Sequence, residues 1–555
     1  MNLSLRRLNR ETAAIMLAGL LLLLGVYAYF GAQLYRGYLL VRDDPANIGG
    51  TVQGGPLGWL TRGMAGYYRV YPEWPQPGFS NFYRPVWNLI IYLERAVLGA
   101  HYWAWFLAFC ILQYLGALLF LRVLRFLDVP PRPAALFAIL FLFNPAFVNS
   151  GFLYPGFQFD VLVSVVLLAA VYCLLRRRFG LALALVTAAV FTKETAIFAP
   201  VAAAITVLVL KRDVKWSLAM LAPIVAWVAA RWLAYHAVLG GTFASPANLH
   251  DLFANIGRGL IVWPSGAVPP SASLRLAGAQ GVVLVALLLV NAALWLVLGW
   301  SGWQVARGLL RTPWTLETKR RLILLVWALG ALAFCLLIRP QIRFGAGFYA
   351  LLLLFLAYFL HTCDWRRPLK LVPIAIVSFV TVIDGGDFVR HAVANGAADR
   401  SGEKALYAGL RSLPQDGRPV FVVNAPSMLS APVFIATSWG LQLHITFINQ
   451  FSGCRRGDGR YDLSPTALSV DLPSCASYVL ASVPDEVQAK ALRGDLLRPG
   501  VGVYRFSAPP MAGKRLGSGD IDFGRTLAVR FEHPPGTVLA YDWRTGAYRV
   551  LATEP

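Results

Sequence analysis

Apolar runs of about bilayer length recur along this chain, and they decide its fold class before any other feature. A helix rises ~1.5 Å per residue, so about 20 apolar residues cross a ~30 Å hydrocarbon core. Eleven runs can be read, near 12–35, 101–121, 133–150, 158–175, 180–192, 195–210, 214–237, 279–304, 321–338, 345–362 and 369–385. Backbone groups in lipid must be satisfied within the segment or in a closed barrel, and runs this long are helical. The expected class is a polytopic α-helical membrane protein with about 11 transmembrane helices, and the 57% hydrophobic composition agrees. The first run is too long for a cleavable signal and is followed by many others. The fifth is too short to cross alone, so it is expected to end below the outer surface and leave Lys193-Glu194 in a cavity.

The formal net charge of +22 invites comparison with nucleic-acid binders, but its distribution excludes that class. Basic residues cluster in alternate short loops, as at Arg122/Arg125/Arg132, Arg176-Arg177-Arg178, Lys211/Arg212/Lys215 and Lys319/Arg320/Arg321. This is the positive-inside pattern, with anionic membrane lipids as partners. It places the N-terminus inside and, with an odd number of spans, the tail outside. The expected location is a bacterial cytoplasmic (inner) membrane.

The expected organisation is a membrane domain over 1–385, with outer loops 36–100 and 238–278, followed by an extracytoplasmic mixed α/β domain over 386–555. About 170 residues suffice for a separate core. Ser401–Leu413 reads as a helix, and 419–423, 477–483, 527–531, 537–541 and 547–551 read as strands. Cys454 and Cys475 are the tail's cysteine pair, and a disulfide between them suits an oxidising compartment. The first outer loop is rich in aromatic residues, and its stretch from Trp87 to Leu98 reads as an amphipathic helix along the membrane surface, with Glu94 and Arg95 on the polar side.

No Walker A loop, HExxH, GxSxG or CxxC stands in the chain, which removes support from ATP-driven transport and zinc hydrolysis. The polar residues that remain gather at outer ends of spans: Asp43 and Asp44 after the first, Asn144-Pro145 and Asp160 between the third and fourth, Lys193-Glu194 between the fifth and sixth, and Arg339 and Arg343 near the ninth and tenth, with Tyr349 beyond. Tyr83 and Arg84 precede Pro85 in the first outer loop. Carboxylates and cations on one surface suit group transfer to a hydroxyl. A carboxylate takes the acceptor's proton as it attacks. Cations stabilise a departing phosphate, for which the guanidinium fork is well shaped. Each residue also has a structural reading. Asp43-Asp44 can start a solvated loop, Asp160 can cap the fourth span, Lys193 and Glu194 can neutralise each other, Arg339 and Arg343 can snorkel to headgroups, and Tyr83-Arg84-Pro85 can be a rigid turn. No metal-ligand set is legible. A divalent cation is the one cofactor that Asp43-Asp44 could hold, with no further ligands at a readable spacing.

The order of Asp-Asp after span one, Tyr-Arg-Pro before span two, a Pro-bearing turn with Asp before span four, and Lys-Glu after a short span five resembles the GT-C superfamily of membrane glycosyltransferases. It looks most like the O-mannosyltransferase-like branch that includes the TMTC type proteins, and more distantly like aminoarabinose transferases acting on lipid A. The resemblance covers roughly 1–210, with weaker support from Arg343 onward. It implies sugar transfer from a polyprenyl-phosphate-linked donor on the outer leaflet to a lipid, glycan or protein acceptor, with inversion at the anomeric carbon. It implies a base at Asp43 or Asp44, and lipid-phosphate contacts at Lys193 and Arg343. The family's His-Pro and Glu after span three stand here as Asn144-Pro145 with no matching Glu. The other classes that fit are a flippase or transporter of lipid-linked glycans, against which the outer placement of the polar residues weighs, and a non-catalytic assembly factor.

Overall fold

The computed structural model describes, in the main, residues 3–34, 83–99, 102–144, 158–235, 280–311, 314–337, 345–363 and 404–423, with strands and short pieces beyond. Contact clustering separates two units, one of Met1–Phe30 with Trp105–Ala392, the other of Gly31–Ala104 with Val393–Pro555.

The first unit is helical. Its elements are α1 (Leu3–Leu34), α3 (Tyr102–Phe126), α4 (Pro131–Leu142), α5 (Phe159–Leu175), α6 (Phe179–Thr192), a 3-10 turn at Glu194–Ala196, α7 (Ala199–Lys211), α8 (Val214–Ala219), α9 (Ala222–Tyr235), α10 (Gln280–Arg311), α11 (Leu316–Leu337) and α12 (Ala346–Thr362). Among the described residues, four stretches are long and apolar enough to cross a membrane: Arg10–Ala28, Ala104–Phe126, Glu194–Lys211 and Val214–Leu233. Further apolar helices over 131–142, 159–175, 179–192 and 347–362 are shorter.

Their outer faces are as apolar as their inner ones. Leu21, Leu115, Val225, Leu233 and Leu296 are each more than half exposed, as lipid-facing side chains would be. Inside, Phe109, Phe120, Phe141, Trp105 and Trp327 are fully buried. Some buried polar groups find partners across helices: Tyr27 Oη donates to Gln113 Oε1 (3.1 Å), Gln113 Nε2 donates to the Leu142 carbonyl, and Trp327 Nε1 donates to Thr206 Oγ1 (3.0 Å).

Proline explains two departures from the sequence reading. The third run ends at Leu142 rather than near 150, because Asn144 precedes Pro145 and the residue before proline avoids helical backbone. The seventh run is broken between α8 and α9, where Pro223 enters the first turn of the new helix.

In the second unit, α2 (Pro85–Leu98) begins with proline at its first turn. Apolar residues stand on both of its faces. The buried stripe is Pro85, Trp87, Asn88 and Ile91, while Leu93 and Val97 are 53% and 81% exposed. Glu94 is only partly exposed. The tail holds a four-stranded sheet, in which β1 (Pro419–Val423) runs parallel to β11 (Thr537–Asp542) and β3 (His444–Phe447), and β12 (Ala547–Ala552) is antiparallel to β11, giving the order β12-β11-β1-β3. Leu406 and Leu410, on a helix over 404–411, pack with Val420, Val422, Ile445 and Leu539 as its core. A five-stranded antiparallel sheet joins, in spatial order, β5 (Tyr461–Ser464), β6 (Ala467–Asp471), β10 (Thr526–Arg530), β9 (Gly502–Phe506) and β8 (Leu497–Arg498). A smaller sheet joins β2 (Ala425–Pro426), β4 (Gln450–Ser452) and β7 (Tyr478–Leu480). Cys454 and Cys475 lie outside the described residues.

Candidate functional site

Ion pairs mark two groups of helix ends in the first unit. At one, Arg320 meets Asp128 (2.9 Å) and Arg132 meets Glu11 (2.9 Å). At the other stand the start of α5 and the end of α6.

The α6 helix is 14 residues long, about 21 Å, shorter than the hydrocarbon core. It stops because Lys193 leaves helical backbone, at φ −157° and ψ 133°, while its N–H still bonds the Ala189 carbonyl (3.0 Å). The 3-10 turn Glu194–Ala196 follows, and α7 begins with Pro200 in its first turn. Lys193 is thereby placed inside, 0% exposed, where Nζ forms an ion pair with Asp160 Oδ1. Asp160 occupies the first turn of α5, where the helix dipole favours a carboxylate. The face of the Phe159 ring lies 4.9 Å from the ammonium. Gln158 Nε2 donates to the Trp105 carbonyl (3.3 Å) and ties this end of α5 to the start of α3. Cys335, buried in the last turn of α11, is within electrostatic reach of Lys193.

The ion pair therefore runs from Lys193 to Asp160, and the capping position of α5 belongs to Gln158 rather than to Asp160. Glu194 is buried in the 3-10 turn beside the pair. Tyr349 is buried on α12 with its ring 5.8 Å from that of Phe348. The adjacent Gly347 packs at Leu167, about two turns along α5 from Asp160. Asn144 is buried just past α4. Tyr83 and Arg84 lie in the other unit, at the entrance to α2, both buried. The Arg84 carbonyl accepts from Asn88 N (2.9 Å), and burial raises the Tyr83 hydroxyl above its ordinary value. Asp43, Asp44, Arg339 and Arg343 lie outside the described residues. The sequence reading passed over Phe159, although an aromatic directly before a span-entry carboxylate was a usable signal. Among the described residues no group of three or more His, Cys, Asp or Glu could hold a metal ion.

The arrangement can hold a cation in apolar surroundings. Of the three N–H donors of an ammonium, Asp160 takes one, and the Phe159 face adds cation–π attraction. The pair is neutral overall, so an anion settling against Lys193 needs further positive charge from elsewhere.

No family profile matches the chain, and no curated protein matches it. Among solved structures it is similar to ArnT from Cupriavidus metallidurans bound to undecaprenyl phosphate, at TM-score 0.44 and 13% identity over 78% of this chain and 85% of that one. It is also similar to the archaeal oligosaccharyltransferase AglB from Archaeoglobus fulgidus, in complex with an inhibitory peptide and a dolichol-phosphate, at TM-score 0.37 and 13% identity over 78% of this chain and 64% of that one.

Proposed function

We propose that this chain is a multi-pass membrane glycosyltransferase of GT-C type that moves a sugar from a polyprenyl-phosphate-linked donor to an acceptor hydroxyl at the outer face of the membrane. The observation that carries the reading is the fully buried Lys193, held against Asp160 where a shortened helix ends among apolar neighbours. A lysine kept charged in such surroundings is a natural counter-ion for a phosphate that arrives through lipid. The neutrality of the pair supports a role for Arg343 and Arg339 as the additional cations.

In the proposed reaction the acceptor oxygen bonds to the anomeric carbon as the bond from that carbon to the phosphate oxygen breaks. Asp44 or Asp43 takes the hydroxyl proton, and polyprenyl phosphate leaves with the bonding electrons toward Lys193 and the arginines. One displacement inverts the anomeric carbon. Tyr83, Arg84, Glu194 and Tyr349 are proposed to line or brace the site, and the tail and first outer loop to position the acceptor.

The test is release of polyprenyl phosphate by purified protein in nanodiscs, with a panel of polyprenyl-phosphate sugars and a cell-envelope acceptor extract. Release abolished by Asp43→Asn or Asp44→Asn in a folded protein supports transfer and identifies the base. No release with any donor, alongside movement of lipid-linked sugar across the bilayer, would replace this reading with a flippase.

A further inference from the structure

The end of the helices opposite Lys193 gathers guanidinium groups around two aromatic rings. Arg122 stands in the last turns of α3, and Arg176 caps α5. Arg122 Nε and Arg176 Nη1 both donate to Tyr172 Oη, at 3.2 and 3.1 Å. The Arg176 guanidinium also lies 5.6 Å from the Tyr172 ring centre and 5.9 Å from that of Phe126, and Arg122 lies 5.9 Å from Tyr172. The two rings meet edge to face at 5.5 Å.

Among the described residues, Asp128 pairs with Arg320, whose guanidinium lies 5.8 Å from the Phe126 ring centre, and Glu317 pairs with Arg321. Arg122 and Arg176 thus share one neutral oxygen while remaining exposed, and Arg177 and Arg178 add like charge beside them. Two cations converging on a neutral hydroxyl repel each other, and an anion bridging them would relieve that repulsion.

The surface of α3 says what carries the anion. Leu107, Ile111, Leu115 and Leu118 are 44%, 51%, 54% and 37% exposed. Their spacing of four, four and three places them on one helical face, and Arg122 continues that face one turn further on. An apolar track leading to a paired-guanidinium head matches a lipid with an acyl chain and a phosphate.

We propose that Arg122, Arg176 and Tyr172 clamp the phosphate of an anionic phospholipid in the leaflet at this end, with an acyl chain along Leu118, Leu115, Ile111 and Leu107. Ring stacking and the shared hydroxyl hold the two guanidinium forks in place before the lipid arrives. The site is separate from the Lys193 site and does not rest on the transferase reading.

Native mass spectrometry of the full-length protein in detergent tests it, with phosphatidylglycerol, phosphatidylcholine and inorganic phosphate as probes. Phosphatidylglycerol is expected to bind more tightly than phosphatidylcholine, and Arg122→Gln/Arg176→Gln is expected to weaken it by about tenfold or more. Arg411→Gln, which removes an exposed charge from the tail helix, should leave its affinity unchanged. If the double variant does not fold, Arg122→Lys keeps the charge but loses the fork, and a fall of about threefold is expected. Equal affinity for the two lipids, unchanged affinity in the arginine variants, or full displacement by millimolar inorganic phosphate would overturn the proposal, the last pointing to a free-anion site.

Discussion

A lysine and an aspartate withdrawn from water attract strongly, but each has lost its hydration, so breaking such a pair costs more than making it gains. Lys193 and Asp160 are 0% and 1% exposed. Asp160→Asn leaves the ammonium without its carboxylate and should cost about 3–5 kcal/mol, whereas Asp160→Asn/Lys193→Met should recover much of that loss. A double-mutant cycle on unfolding in mixed micelles measures both. Glu94 offers a second test. Burial raises its carboxyl from 4.5 to about 7. Because the folded value lies above the unfolded one, protonation favours the fold, and this contribution is fully present below pH 4.5 and lost as pH rises toward 7. Glu94→Gln should remove that dependence, so its thermal midpoint should gain on wild type between pH 5 and pH 8. A wild-type advantage at pH 8 would contradict the burial. Neither feature could be read from spacing. Asp160 and Lys193 are 33 positions apart, and their meeting is set by where α6 stops.

At the scale of the helix, much was legible. Hydrophobic runs and arginine-bearing turns located α3, α5, α6, α7, α11 and α12 to within a few residues, because length and composition alone decide whether a helix can lie in lipid. Which residues of α2 are buried was less legible. Periodicity identifies two faces, but not how far each is covered: Trp87 and Ile91 are buried while Leu93 and Val97 stay exposed. Packing between helices also depends on single positions. A Cβ at Gly116 on α3 would lie 2.7 Å from Val165 Cγ2 and 3.2 Å from Phe141 Cε1. Neither neighbour is the free end of a flexible chain, so Gly116→Ala should destabilise by about 1–3 kcal/mol. A thermal midpoint in detergent equal to wild type would show that α5 can move away.

Across the whole molecule, arginines gather at one set of helix ends and the buried Asp160–Lys193 pair lies at the other. The charge pattern foretold the first set, since topology signals are read locally. The contacts made at the second are tertiary and were not foretold. If the arginine set faces the cytoplasm, a cysteine at Arg177→Cys, in a background without the native cysteines, should react with an impermeant maleimide only after the membrane is opened, and one at Thr545→Cys, in the tail's β11–β12 turn, should react in intact cells. The reverse labelling would invert the topology and move the Lys193 end inside. The most direct measurement of all is the affinity of full-length protein in nanodiscs for a polyprenyl phosphate, comparing wild type with Asp160→Asn/Lys193→Met, the pair of changes expected to preserve folding. If Lys193 holds the leaving phosphate, the double variant should bind at least about tenfold more weakly while remaining folded. Equal binding by the two proteins would contradict the buried lysine as the donor-phosphate site.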